Sequence, residues 1–215
     1  MKKKQQRNFC IALCALASFA LWTVLVRTVD VRAIGPRGSS VGFSTINASV
    51  HRLTGVHMSL YHITDWLGLV PVFVGFGFAI LGLIQWIKRK NLFKVDFSIL
   101  ALGVFYVAVI AVYLFFEEYV INYRPILING ILEASYPSST TVLVTCVMPT
   151  AAMQLDQRIK NGRLRRVIKV AIFAFVIFMV VGRLLSGVHW ITDIIGGALV
   201  SAGLVMTYRS LCETI

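Results

Sequence analysis

Between Gly182 and Asp193 the chain reads G-R-L-L-S-G-V-H-W-I-T-D, which sets an arginine, a histidine and a carboxylate between two long apolar segments. His189 and Asp193 stand four apart and would share one face of a helix. A carboxylate beside an imidazole fixes its tautomer and supports positive charge on the ring. Arg183 adds a planar fork suited to phosphate oxygens. Taken alone, the same residues also describe a membrane-surface turn with snorkelling polar side chains.

Two other clusters carry related chemistry. Arg124-Pro125 ends the polar stretch E-E-Y-V-I-N-Y-R-P, Glu117 to Pro125. Tyr136-Pro137-Ser138-Ser139-Thr140 opens an apolar run. A helix starting there offers free backbone N–H groups and a dipole that favours an anion. Ser138, Ser139 and Thr140 are natural N-cap residues as well as phosphate donors, so capping alone would account for them. Two arginines, a helix N-terminus and a His–Asp pair together are what phosphoryl transfer through a phosphohistidine requires.

The elements that must bring these clusters together are membrane helices. Of the 215 residues, 58% are hydrophobic and only 14% charged, and the mean hydropathy is +0.80. Soluble domains carry about a quarter charged residues. Several apolar runs are long enough to cross a hydrocarbon core of about 30 Å. The pattern predicts an all-α, polytopic bundle of six transmembrane helices, at about 9–29, 66–87, 96–116, 138–155, 168–186 and 190–208. One integral-membrane domain, 1–215, holds them, with no internal repeat. Ile46, Val50, Leu53, Val56 and Leu60 recur at helical spacing in the first outer loop. They predict a short interfacial helix over about 45–62. His51, His57 and His62 lie in that region and are read as surface histidines, because no carboxylate or cysteine sits at ligand spacing.

Charge sets the orientation. The formal net charge is +12, which in another context would suggest nucleic acid. Here the basic residues form three clusters: Lys2, Lys3, Lys4 and Arg7; Lys88, Arg89, Lys90 and Lys94; and Arg158, Lys160, Arg163, Arg165, Arg166 and Lys169. These fall on alternate loops and hold every lysine, as the positive-inside rule demands. Both termini are therefore expected in the cytoplasm, with the three polar clusters at the extracytoplasmic face of the cell membrane. The run from Phe9 to Val26 is long for a signal peptide and no cleavage site follows, so an uncleaved span is expected. Cys10, Cys14, Cys146 and Cys212 show neither disulfide nor zinc spacing.

The three clusters resemble the signatures of the type 2 phosphatidic acid phosphatase superfamily, which also contains haloperoxidases. That family reads K-x6-R-P, then P-S-G-H, then S-R-x5-H-x3-D. The resemblance implies that His189 attacks phosphorus and that Asp193 orients and activates it. It implies that Arg124 and Arg183 clamp the phosphate, that Ser138 and the backbone around Ser139 add hydrogen bonds, and that neither metal nor cofactor is needed. Three positions depart from the pattern. Gly182 stands for the serine of the third motif. Glu117 stands for the lysine, so one phosphate cation is missing. Thr140 stands for the histidine that protonates the leaving group, a form of help worth about 10²–10⁴ in rate.

The expected activity is hydrolysis of a phosphate or diphosphate ester of a lipid at the outer face. Phosphatidate, phosphatidylglycerol phosphate and a polyprenyl pyrophosphate are the candidate substrates, and the bilayer is the partner. One alternative is a catalytically impaired relative that binds phosphate-bearing lipids. A small transporter or channel is disfavoured, since spans two, three, five and six offer almost no polar residue in mid-span.

Overall fold

The computed structural model describes residues 3–213, so Lys2 of the first basic cluster lies outside it. Eight α-helices follow one another, with no strand among the described residues: α1 Lys3–Thr28, α2 Ser44–Thr54, α3 Met58–Leu67, α4 Leu69–Arg89, α5 Phe97–Glu118, α6 Ser139–Arg158, α7 Gly162–Leu185 and α8 Ile191–Cys212. Five stretches are long and apolar enough to cross a membrane: α1, Met58–Arg89, α5, α7 and α8. The chain is a multi-pass membrane protein, and the outward side chains of these helices, such as Leu21, Phe73, Val104 and Phe173, are large, apolar and exposed.

The stretch expected at 138–155 is a helix of 20 residues, but it falls short of the hydropathy of the other five. Its composition follows from its place. α6 is the hub of the bundle, and Thr140, Thr141, Val144, Cys146, Thr150 and Gln154 are all buried. A helix surrounded by other helices can carry threonine and glutamine where their hydroxyl and amide groups find partners inside the protein. The main core lies between α5, α6 and α8, where Leu102, Phe105 and Val109 meet Val142, Cys146, Val200 and Tyr208. α1 closes on α8 so tightly that a Cβ at Gly203 would stand 2.6 Å from the Leu16 side chain.

The region expected as one interfacial helix at 45–62 is two. α2 stops at Gly55, whose φ of +67° is a left-handed value that glycine adopts without strain, and whose N–H closes on His51 O at 2.9 Å. α3 starts three residues later and runs on through Gly68 into α4. At the other end of the bundle, Gln85, Arg89, Asp96, Arg158, Gln154 and Tyr208 form a polar network that runs from the buried Gln154 and Tyr208 out to the exposed Arg89. Gln85 Nε2 donates to Asp96 Oδ2 at 2.8 Å and Gln154 Nε2 to Ser98 O at 3.2 Å.

Candidate active site

The last turns of α1, α5 and α7 and the first turns of α6 and α8 gather at one end of the bundle. Trp22 Nε1 on α1 donates to Thr192 O at 3.1 Å, and Ser138 N, just before α6, donates to Asp193 O at 3.1 Å. The structure therefore brings together all three sequence clusters.

His189 lies in the loop between α7 and α8 rather than on a helix, and its side chain is fully buried. Arg124 Nη1 stands 3.3 Å from its Nε2. A guanidinium only donates, so Nε2 must accept and carries the lone pair. The proton of the neutral ring then sits on Nδ1, which faces Asp193 Oδ2 at 3.7 Å, just beyond hydrogen-bond distance. Burial lowers the His189 pKa from 6.5 to about 4. Asp193 opposes that shift, and Arg124 and Arg183 add to it. The ring is therefore neutral at physiological pH. Asp193 is held on both oxygens: Oδ2 accepts Trp190 N–H at 3.0 Å and Oδ1 accepts Asn122 Nδ2 at 3.2 Å. It occupies the first turn of α8, where the helix dipole favours a carboxylate.

Arg183 is buried, and α3 grips it. Nη1 reaches Thr64 Oγ1 at 3.4 Å and Tyr61 O at 3.5 Å, and the guanidinium lies 4.9 Å from the Tyr61 ring centroid. Nη2 donates to Asp65 Oδ1 at 3.1 Å and to Thr140 Oγ1 at 2.6 Å. Nε is buried with no acceptor among the described residues. Arg124 pairs through Nε with Glu133 Oε2 at 3.0 Å. Ser138 caps α6, its Oγ accepting Thr141 N–H at 3.4 Å and Thr141 Oγ1–H at 3.0 Å.

Access is from the side of α5 and the loop that follows it. A slot of about 20 Å³ is lined by His189, Ser139, Glu117 and Tyr113. It joins a cleft of about 550 Å³ lined by Arg124, Glu133, Glu117 and Ser139. The first holds about one water, so a phosphate must widen it.

The sequence reading missed Asn122, Glu133 and the α3 platform of Tyr61, Thr64 and Asp65. Asn122 and Glu133 had a weak signal, as polar residues flanking Arg124; Asp65 had none beyond preceding an apolar run. α3 also accounts for Gly182. A Cβ there would stand 2.8 Å from Thr64 Cγ2, so a serine at 182 would displace the helix that holds Arg183. His51 is half-buried rather than a surface histidine: its Nε2 lies 3.1 Å from Gly187 O and its ring 5.5 Å from that of Trp190. Gly187 has φ +69°, and a Cβ there would stand 2.0 Å from Gly55 O, so the connection between α2 and α3 presses directly on the His189 loop.

Residues 111–212 match the family model described as PAP2 superfamily, and this stretch contains all three motifs. The match agrees with the resemblance read from the motifs. The fold is similar to the crystal structure of a transmembrane PAP2 type phosphatidylglycerolphosphate phosphatase from Bacillus subtilis. The TM-score is 0.69 at 16% sequence identity, over 95% of this chain and 97% of that one. No curated protein matches the chain significantly.

Proposed function

We propose that the protein is a lipid phosphatase that hydrolyses a phosphate or diphosphate ester of a membrane lipid through a phosphohistidine at His189. The observation that carries this is the Arg124–His189 contact, which leaves the lone pair on Nε2 and the ring proton towards Asp193. In the first step Nε2 attacks phosphorus and the lipid product leaves with the bonding pair. Arg124 and Arg183 neutralise the charge that gathers on the phosphoryl oxygens, and Arg183 Nε is the donor with no acceptor among the described residues. The first-turn N–H groups of α6, at Ser139 and Thr140, add to that field. In the second step water releases phosphate from the histidine.

Thr140 does not titrate near neutrality and is already bound to Arg183. A leaving group that needs no proton therefore suits this site best, so a diphosphate lipid is preferred over a monoester such as phosphatidate or phosphatidylglycerol phosphate. The site faces the extracytoplasmic side, because the lysine-bearing clusters all lie at the other end of the bundle. In this reading α6 crosses as the sixth helix, sheltered by the other five, and α2 lies in the outer interface with Ile46 and Leu53 exposed.

The test is phosphate release by the purified chain from phosphatidate, phosphatidylglycerol phosphate and a polyprenyl diphosphate. Turnover should be fastest on the diphosphate and absent in His189→Ala. Turnover by His189→Ala above a trace would overturn the mechanism. Inactivity of the unmodified chain on every lipid would leave phosphate-lipid binding as the function.

A further inference from the structure

Four carboxylates surround the site, and three are committed. Asp193 caps α8 and faces His189, Asp65 is paired with Arg183, and Glu133 is paired with Arg124. Glu117 forms no ion pair among the described residues, and its neighbour is the phenol of Tyr113, one turn earlier on α5. It is exposed, on the last turn of α5. It lines both the slot that ends at His189 and the wider cleft at Arg124. His189, fully buried, forms the floor of that slot, and Glu117 forms its rim.

The histidine route leaves one proton without a carrier. Water that attacks a phosphohistidine must lose a proton as it bonds to phosphorus. Nε2 is then bonded to phosphorus and Nδ1–H faces Asp193, so the ring cannot take it. Thr140 does not titrate near neutrality. The outer-loop histidines are engaged elsewhere: His51 on Gly187 O, His57 Nε2 on Thr54 O at 2.9 Å, and His62 against the Tyr61 ring at 5.2 Å.

We infer that Glu117 is the general base for the second half of the reaction. This rests on the phosphohistidine reading above. In-line attack comes from the side of phosphorus away from Nε2, and Glu117 lines the slot through which water reaches His189. Water oxygen bonds to phosphorus, and one water proton passes to the Glu117 carboxylate. The P–Nε2 bond breaks, its electron pair returns to Nε2, and inorganic phosphate leaves. Glu117, at the exposed rim, then releases the proton to solvent. The carboxylate that replaces a phosphate-binding cation and the threonine that replaces a proton donor are on this account one adaptation. The site gives up help to the leaving group and keeps help to the water.

The full-length purified chain and Glu117→Gln are compared by rapid quench on a ³²P-labelled polyprenyl diphosphate. General base help is worth about 10²–10⁴ in rate. Glu117→Gln should still release close to one equivalent of lipid monophosphate in a burst. It should then turn over at least about tenfold more slowly, with label held on His189. Glu117→Asp should recover part of the steady rate without accumulating label. Unchanged or faster turnover in Glu117→Gln would mean that the carboxylate only repels substrate, and would overturn the proposal. Loss of burst and steady phases together would also overturn it, since a base for the second step cannot affect the first. An unmodified chain with no turnover, or one that never labels His189, would instead remove the reaction to which the role belongs.

Discussion

Both ends of the α5–α6–α8 bundle are polar, one half-exposed around Asp96 and one buried around His189, and their hydrogen bonds close differently. At the end bearing Asp96 and Gln154, the side-chain groups of the network answer one another. Gln154 bonds to Ser98 O, Tyr208 and Arg158, and Asp96 takes Gln85 at 2.8 Å, Arg89 at 2.9 Å and Arg158 at 3.4 Å. At the end bearing His189, Arg183 Nε and His189 Nδ1 are buried with no hydrogen-bond partner among the described residues. A buried polar group left so costs about 1–3 kcal/mol. One end uses its polar groups to hold helices together. The other leaves polar groups unanswered at a cost in stability, as functional sites commonly do.

The comparison is sharpened most by the two arginines. Arg124→Lys and Arg183→Lys keep the charge but lose the planar fork, and a lysine at 183 cannot serve Thr64, Asp65 and Thr140 at once. Removing one such donor typically costs about 10²–10³ in kcat. Steady-state kinetics of both variants on a diphosphate lipid should show drops of that size. Near-normal values in both would place the phosphate elsewhere.

The second prediction sets the two ends against each other. Gln154→Leu leaves Tyr208 and Arg158 without their partner and should lower stability by about 2–3 kcal/mol while leaving kcat within about twofold. His189→Leu removes a buried nitrogen that has no hydrogen-bond partner along with the 3.3 Å contact to Arg124, and should lower stability by less than Gln154→Leu does. Thermal unfolding in detergent, read beside activity, checks both. A large stability loss in His189→Leu would erase the distinction between the two ends.

The contrast also explains what could be read from the sequence. The facing of His189 and Asp193 was legible because it depends on spacing within one short stretch. The convergence of Arg124 and Ser138 on them was legible because membrane helices end at shared depths. The Arg183 platform was not, because Asp65 meets Arg183 across 118 residues and a lone aspartate before an apolar run looks like a helix start. The burial of α6 was hidden for a related reason. Its hydropathy is set by the helices around it rather than by lipid. The break between α2 and α3 rested on Gly55, a single residue inside a continuous apolar period.

A smaller effect is expected at Thr140. Thr140→His restores a titratable group beside Arg183, which should raise monoester turnover about tenfold and diphosphate turnover little, since general acid help matters most for a poor leaving group. Equal gains on both substrates would mean that the change acts through Arg183 rather than on the leaving group.

The smallest expected change is in the response to acid. Burial holds the His189 pKa near 4, with Asp193 opposing. The pH dependence of kcat/KM reports the free enzyme's essential groups. An imidazole at its ordinary value of about 6.5 would cost roughly tenfold in kcat/KM at pH 5.5. With the depressed value the nucleophile stays unprotonated, so kcat/KM should change by less than about twofold between pH 7.5 and 5.5, once the substrate's own ionisation near pH 6 is divided out. Stability moves with a definite sign over the same window. Below about 6.5 the unfolded chain binds a proton that native His189 refuses, so the folded state weakens as pH falls towards about 4. Activity at constant folded fraction should therefore be flat while the unfolding midpoint declines. An acid limb near 6.5 would show that His189 is solvated in the working enzyme, and the buried floor of the slot would then be open.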